Sequence, residues 1–149
     1  MPGYQLAQLN VARLLAPIDS PIVAEFKDSL DPINALAEVS PGFVWRLQTE
    51  KGDATSIRVS DDDLFIVNLC VWESVEQLHD YVYRSDHTSF LSRRKEWFER
   101  SSEAFFVMWW IPAGHIPGTD EAMKRLALLR RDGPSVRAFT FKQEFAPPE

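Results

Sequence analysis

Few residues of this sequence could do chemistry unaided, so their types and places are informative. Histidine changes charge nearest neutral pH, and there are three: His79, His87 and His115. His79 sits between Leu78 and Asp80 and reads as a surface residue of a helix. His87 directly follows Asp86 at a helix start, and His115 follows the turn Pro112-Ala113-Gly114. Those two are the candidate general acid or base. No two histidines have metal-ligand spacing, since His-x-x-x-His does not occur. The run Asp61-Asp62-Asp63 lacks the Gly and Glu of a calcium loop and reads as a turn. There is no Gly-rich phosphate cradle and no Gly-x-Ser-x-Gly elbow. Neither a metal nor a cofactor is expected.

A second set consists of hydrogen-bonding side chains inside apolar runs. Side chains alternate across a strand, so residues two apart share a face. In residues 4–14, Ala7, Leu9 and Val11 oppose Tyr4, Leu6, Gln8 and Asn10. In residues 43–49, Phe43, Trp45 and Leu47 oppose Val44, Arg46 and Gln48. In residues 64–72, Phe65, Val67, Leu69 and Val71 oppose Ile66, Asn68, Cys70 and Trp72. Each strand thus has a wholly apolar face, suited to helices, and a mixed one. If the mixed faces coincide, Gln8, Asn10, Arg46 and Asn68 line one concave pocket with His115 near its mouth. Arg46 is its critical member, because a guanidinium stays charged and needs partners when buried. Trp45, Trp72 and Trp110 are candidates for the apolar wall.

The elements that position these residues follow from local signals. Ser20-Pro21 reads as a cap followed by Pro at the first helical position, with Ile22, Phe26 and Leu30 as one stripe. Asp31-Pro32 repeats the signal, so a break and restart are expected there. Ser74 and Gln77 form a capping box before a helix carrying Val75, Leu78 and Val82 inward. Asp86 starts a further helical stretch in which Phe90, Leu91, Arg94, Trp97 and Phe98 share a face. Residues 104–111 form a fourth strand, apolar on both sides. Thr119 caps a last helix ended by Asp132-Gly133-Pro134, and residues 138–141 add a short strand. The order is a ferredoxin-like βαββαβ α+β sandwich with a C-terminal helix and strand, one domain over residues 1–149. Its helices suffice for one sheet face, so a homodimer is expected to cover the other.

Composition narrows the partners. The 149 residues carry a net charge of −6, which argues against nucleic acid. The single cysteine, Cys70, allows no internal disulfide. The start Met-Pro-Gly-Tyr-Gln-Leu lacks the pattern of a secretory signal, and no apolar run reaches membrane-spanning length. A cytoplasmic protein is expected.

Several strings resemble a known family: Pro41-Gly42-Phe43-Val44-Trp45-Arg46, Val71-Trp72-Glu73-Ser74, Arg94-Lys95-Glu96-Trp97-Phe98 and Trp109-Trp110-Ile111-Pro112-Ala113-Gly114-His115. Together with Gly133-Pro134 and Ala138-Phe139-Thr140-Phe141, they are similar to the bacterial domain-of-unknown-function 3291 family. More distantly, the layout resembles the dimeric α+β barrel superfamily. That group holds cofactor-free monooxygenases of the antibiotic-biosynthesis type, haem-degrading monooxygenases, cyclases and isomerases. The likeness implies a pocket between sheet and helices that takes a small hydrophobic or aromatic molecule. Of the positions that the haem-degrading branch uses, Asn10 matches its first-strand Asn. Val82 and Ser92 replace its catalytic Trp and proximal His. The resemblance therefore implies a monooxygenase-like enzyme without cofactor, in which Arg46 and either His87 or His115 are catalytic. Gln8, Asn10, Trp45, Asn68, Trp72 and Trp110 would bind substrate. The alternatives are a non-catalytic ligand-binding or scaffold protein, and a cyclase or isomerase using the same pocket.

Overall fold

The computed structural model describes residues 3–48, 62, 64–84 and 93–148. The expectations for His87, Phe90, Leu91 and Ser92 lie outside the described residues. The elements run β1 (Tyr4–Arg13), α1 (Ala24–Glu38), β2 (Phe43–Arg46), β3 (Phe65–Trp72), α2 (Val75–Arg84), β4 (Phe106–Pro112) and α3 (Thr119–Asp132). The four strands pair antiparallel in the order β2-β3-β1-β4. This is the ferredoxin-like α+β arrangement. β1 is an inner strand, with register from Leu6↔Trp72 to Arg13↔Phe65 on one side and from Tyr4↔Pro112 to Asn10↔Phe106 on the other.

Local chemistry accounts for the element ends. Ser20 Oγ accepts from the Ile22 N–H at 3.2 Å, and Pro21 opens a 3₁₀ turn over Pro21–Val23 before α1. The 3₁₀ turn rotates the chain faster than an α-helix. As a result Val23 is buried and Ile22, expected in the buried stripe, is exposed. Pro32 lies inside α1 and does not divide it, so the expected break is absent. Ser74 Oγ accepts from the Gln77 N–H at 3.2 Å, which makes the predicted cap of α2. α3 starts without a side-chain cap, its N-cap being Gly118, with Thr119 the first helical residue. Residues Arg94–Glu96 form a 3₁₀ turn instead of the expected α-helix. The C-terminal strand reduces to a bridge: Met108 and Phe139 exchange backbone hydrogen bonds of 2.7 and 2.9 Å on the edge of β4.

The helices lie opposite to expectation. α1 and α2 do not pack on the wholly apolar face. Ala37 of α1 and Val75, Leu78 and Val82 of α2 cluster with Leu6, Cys70, Trp72 and Met108, on the mixed face. The apolar face, Ala7, Leu9, Val11, Val67, Leu69, Val71, Val107, Trp109 and Ile111, receives Ala122, Leu126 and Leu129 of α3. Every one of these strand residues is buried within a single chain. The sequence argument for a homodimer required an open sheet face, and α3 removes that premise. Fully burying each large side chain stabilises the fold by about 1.5–3 kcal/mol, so both layers contribute strongly. Among the described residues no helix is long and apolar enough to cross a membrane.

Gly42 connects α1 to β2 at φ +87°, a conformation that L-residues rarely adopt. A Cβ there would also lie 2.7 Å from Cβ of Gln77. We expect Gly42→Ala to lower unfolding free energy by about 1–3 kcal/mol, read from the urea midpoint. Adding Gln77→Ala should restore only the part of the steric cost that comes from the amide end of that side chain, since its Cβ remains. An unchanged midpoint in Gly42→Ala would show that the turn tolerates a side chain.

Candidate functional site

Strand alternation places Gln8 and Asn10 of β1 on the side of the sheet roofed by α1 and α2, facing Cys70 and Asn68 of β3, their register partners. These groups satisfy one another. The Trp72 indole N–H donates to Cys70 Sγ at 3.1 Å, and the Cys70 thiol donates to Gln8 Oε1 at 3.1 Å. Gln8 Nε2 then donates to Asn10 Oδ1 at 2.9 Å, and Asn68 Nδ2 donates to the same oxygen at 3.0 Å. An unpartnered buried polar atom costs about 1–3 kcal/mol, and among the described residues no fully buried side-chain nitrogen or oxygen lacks a partner.

Arg46 joins this face through an irregularity. Phe43 opposes Trp72, yet Trp45 opposes Val71 and Arg46 opposes Cys70, so the register shifts between Phe43 and Trp45. A bulge of this kind changes the parity of a strand. It puts Phe43 and Arg46 together on the helix side, where simple alternation had grouped Phe43 with Trp45. The Arg46 side chain is only 10% exposed, and its Nε lies 3.3 Å from the Glu38 carboxylate. Its terminal nitrogens have no other partner among the described residues.

These residues form the floor of a cavity of about 690 Å³. Leu30, Ile33 and Ala37 of α1 and Leu78, Tyr81 and Val82 of α2 supply its walls, and it continues past Phe106 to Phe105, Phe98 and Arg94. The Tyr81 hydroxyl donates to the Ile33 carbonyl at 3.1 Å, tying α2 to α1 across the cavity. Burial raises the Tyr81 pKa above its ordinary range. Burial also pushes the Cys70 thiol up to about 12, against the opposing hydrogen bond from Trp72. Cys70 is therefore a neutral thiol in the floor, not a thiolate nucleophile.

Five of the nine residues expected at the site meet here: Gln8, Asn10, Arg46, Asn68 and Trp72. Trp45 packs on the α3 side of the sheet. Trp110 faces the helix side, but the C-terminal segment covers it, with its indole N–H donating to the Phe145 carbonyl at 2.8 Å. His115 lies by the start of β1, where the Gly114 N–H donates to Gln5, whereas the cavity lies toward the strand's other end. It is not at the mouth. Its Nε2 is 2.7 Å from Glu121, whose other oxygen accepts from the Trp109 indole at 2.9 Å. Burial pushes the Glu121 carboxyl up, but the bonds from His115 and Trp109 outweigh it and hold the group below the usual carboxylate range. His87 lies outside the described residues. Sequence reasoning missed Tyr81 and Arg94 as lining residues. The signal for Tyr81 was its place three residues after Leu78, on the buried side of α2. Among the described residues no cluster of three or more His, Cys, Asp or Glu could hold a metal ion.

A family model described as a domain of unknown function, DUF3291, matches residues 5–149. A comparison with curated proteins gives no match. Among solved structures the chain is similar to a mutant of SnoaB, a cofactor-independent oxygenase from Streptomyces nogalater. The identity is 15% and the TM-score 0.50, with 75% of this chain and 95% of that one covered. It is also similar to a protein from Nitrosomonas europaea provisionally named an antibiotic biosynthesis monooxygenase. There the identity is 12% and the TM-score 0.51, with 79% and 98% covered. At such identities the likeness establishes the fold.

The state of Cys70 gives a chemical test of the floor. In the native protein at pH 8, iodoacetamide should leave Cys70 unmodified by mass spectrometry, while the urea-unfolded chain is alkylated fully. The thiol also loosens the fold in alkali, because its folded pKa is raised. Its contribution is whole below the unfolded value of about 8.5 and is lost as pH climbs toward about 12. Fast native alkylation would mean that the floor is open.

Proposed function

The chain belongs to the DUF3291 family, a domain of unknown function, and from that premise we propose that it is a small-molecule enzyme of the cofactor-free oxygenase type. Its substrate is hydrophobic or aromatic and sits between the sheet and α1/α2. One observation carries this reading: a cavity of about 690 Å³, mostly apolar, whose floor presents a hydrogen-bonded row of amides beside a nearly buried Arg46. Ligand sites have this composition, an apolar lining with a few placed polar groups. The fold it shares with a cofactor-independent oxygenase supports the same reading.

In this chemistry an electron-rich substrate anion supplies the electrons to oxygen. An activated methylene and one molecule of dioxygen give a carbonyl and one molecule of water. One oxygen atom enters the product, and the other leaves as water with the two methylene hydrogens. The protein's task is to hold the substrate anion and stabilise its charge. Asn10 accepts through Oδ1 from both Gln8 and Asn68, which leaves its Nδ2 donors for a ligand. The Arg46 guanidinium stabilises negative charge on a substrate oxygen.

Binding without turnover is the rival reading, and one feature favours it. The described residues lining the cavity include no His, Asp or Glu to serve as a base. The same feature weighs more heavily against a cyclase or isomerase, which needs the base in place. An oxygenase needs none where the substrate arrives already ionised.

Oxygen uptake with 1,8-dihydroxyanthrone separates these readings. We expect the protein to accelerate uptake, and Arg46→Met to reduce kcat/KM by about 10²-fold with an unchanged circular-dichroism spectrum. Saturable tryptophan quenching without uptake above the blank would establish binding alone. We also propose that the protein acts in the cytoplasm and pairs into a homodimer through a surface other than the sheet face under α3. Sedimentation velocity at micromolar concentration tests the pairing, and a monomer would dismiss it.

A further inference from the structure

The charge of the cavity is one-sided. Arg46, Arg94 and Lys142 line it, and no acidic residue does so among the described residues. Composition does not explain this, because the chain holds 22 Asp and Glu against 16 Lys and Arg. Several other arginines do have carboxylate partners: Arg13 pairs with Asp62, Arg93 with Glu25 and Glu96, Arg130 with Glu103, and Arg131 with Asp132. Arg46 itself has Glu38. Arg94 has no carboxylate partner among the described residues.

Arg94 is nonetheless held in place. Its guanidinium lies over the rings of Phe105 and Phe98, 4.2 and 5.2 Å from their centroids. Burial alone moves its pKa below the ordinary arginine value, with no acidic neighbour offsetting it. A guanidinium lying on aromatic faces keeps its edge, the N–H fork that matches an oxyanion bidentately, free for a ligand. The stacking compensates part of the desolvation cost but leaves the charge unneutralised.

We infer that the cavity selects an aromatic anion and that Arg94 receives its acid group, a carboxylate or sulfonate carried on a flat apolar body. This rests on the cavity being a ligand site, as proposed above, and adds the class of ligand and the residue that recognises it. The rings of Phe98 and Phe105 line the cavity beside the fork, together with the amide row of Gln8, Asn10 and Asn68.

Two fluorescent probes of matched body test it: 1-anilinonaphthalene-8-sulfonate, an aromatic anion, and N-phenyl-1-naphthylamine, its neutral counterpart. The folded protein should bind the sulfonate saturably and at least about tenfold tighter than the amine, with the preference shrinking at high salt. Arg94→Gln should remove about tenfold of sulfonate affinity and leave the amine unchanged. Arg94→Lys should keep part of the preference, as a charge without a fork. Equal binding of the two probes to the wild type would overturn the inference while leaving the cavity a ligand site, and this arm does not depend on any variant folding. A preference lost in Arg46→Gln but kept in Arg94→Gln would overturn the assignment to Arg94. Binding of neither probe would overturn both this inference and the proposed function.

Discussion

Gln8 is 3% exposed in the middle of β1, and its amide must donate and accept there or the strand could not lie beneath two helices. Its solution runs across the sheet. The Trp72 N–H, the Cys70 thiol, the Gln8 amide and the Asn10 carbonyl oxygen hand hydrogen bonds along in one direction, and Asn68 meets the row from the other side. The row depends on register, because Gln8 stands opposite Cys70 and Asn10 opposite Asn68. A slip of β1 by one residue would send Gln8 and Asn10 to the α3 side, away from Cys70 and Asn68. Polar satisfaction and strand register are thus the same constraint, and the cavity floor is its by-product.

The rest of the architecture follows from this placement. α1 and α2 cannot close flat on a row of amides, so their apolar residues meet the sheet at Leu6, Cys70, Trp72 and Met108 and leave a cavity beyond. The uninterrupted apolar face needs a close-packed cover, and α3 supplies it with Ala122, Leu126 and Leu129. The bulge in β2 brings Arg46 over the amide row while Trp45 remains in the α3 layer. Alternation puts Trp45 and Arg46 on opposite faces, and the register shift decides that Arg46 takes the helix side.

The fold alone does not imply an activity, since one architecture hosts unrelated functions. What distinguishes this chain is the chemistry of its cavity. A neutral thiol, amides with spare donors, a tyrosine raised by burial and cationic arginines can hold and stabilise an anion. They cannot readily take a proton from a weak acid. A site so built asks its ligand to bring its own negative charge.

Much of this was legible in the order of residues. Alternation identified Gln8, Asn10, Asn68 and Trp72 as sharing a side, and the Ser20 and Ser74 caps marked where helices begin, because these signals act over a few residues. The layering was not legible. An apolar face attracts any apolar helix, and nothing local says whether α1 and α2 or the C-terminal helix will take it. The place of His115 likewise depended on which end of the sheet the cavity opens. Phe43 was assigned to the wrong face because a bulge leaves no mark in composition. Arg94 was read only as sharing a helical face with Trp97 and Phe98, since its lack of a carboxylate is a property of what folds around it. Periodicity, capping and the residue types at the floor were therefore determined by sequence alone. Which face the helices cover, and which charges stay unpaired, was decided by tertiary structure, because both depend on contacts between segments far apart in the chain.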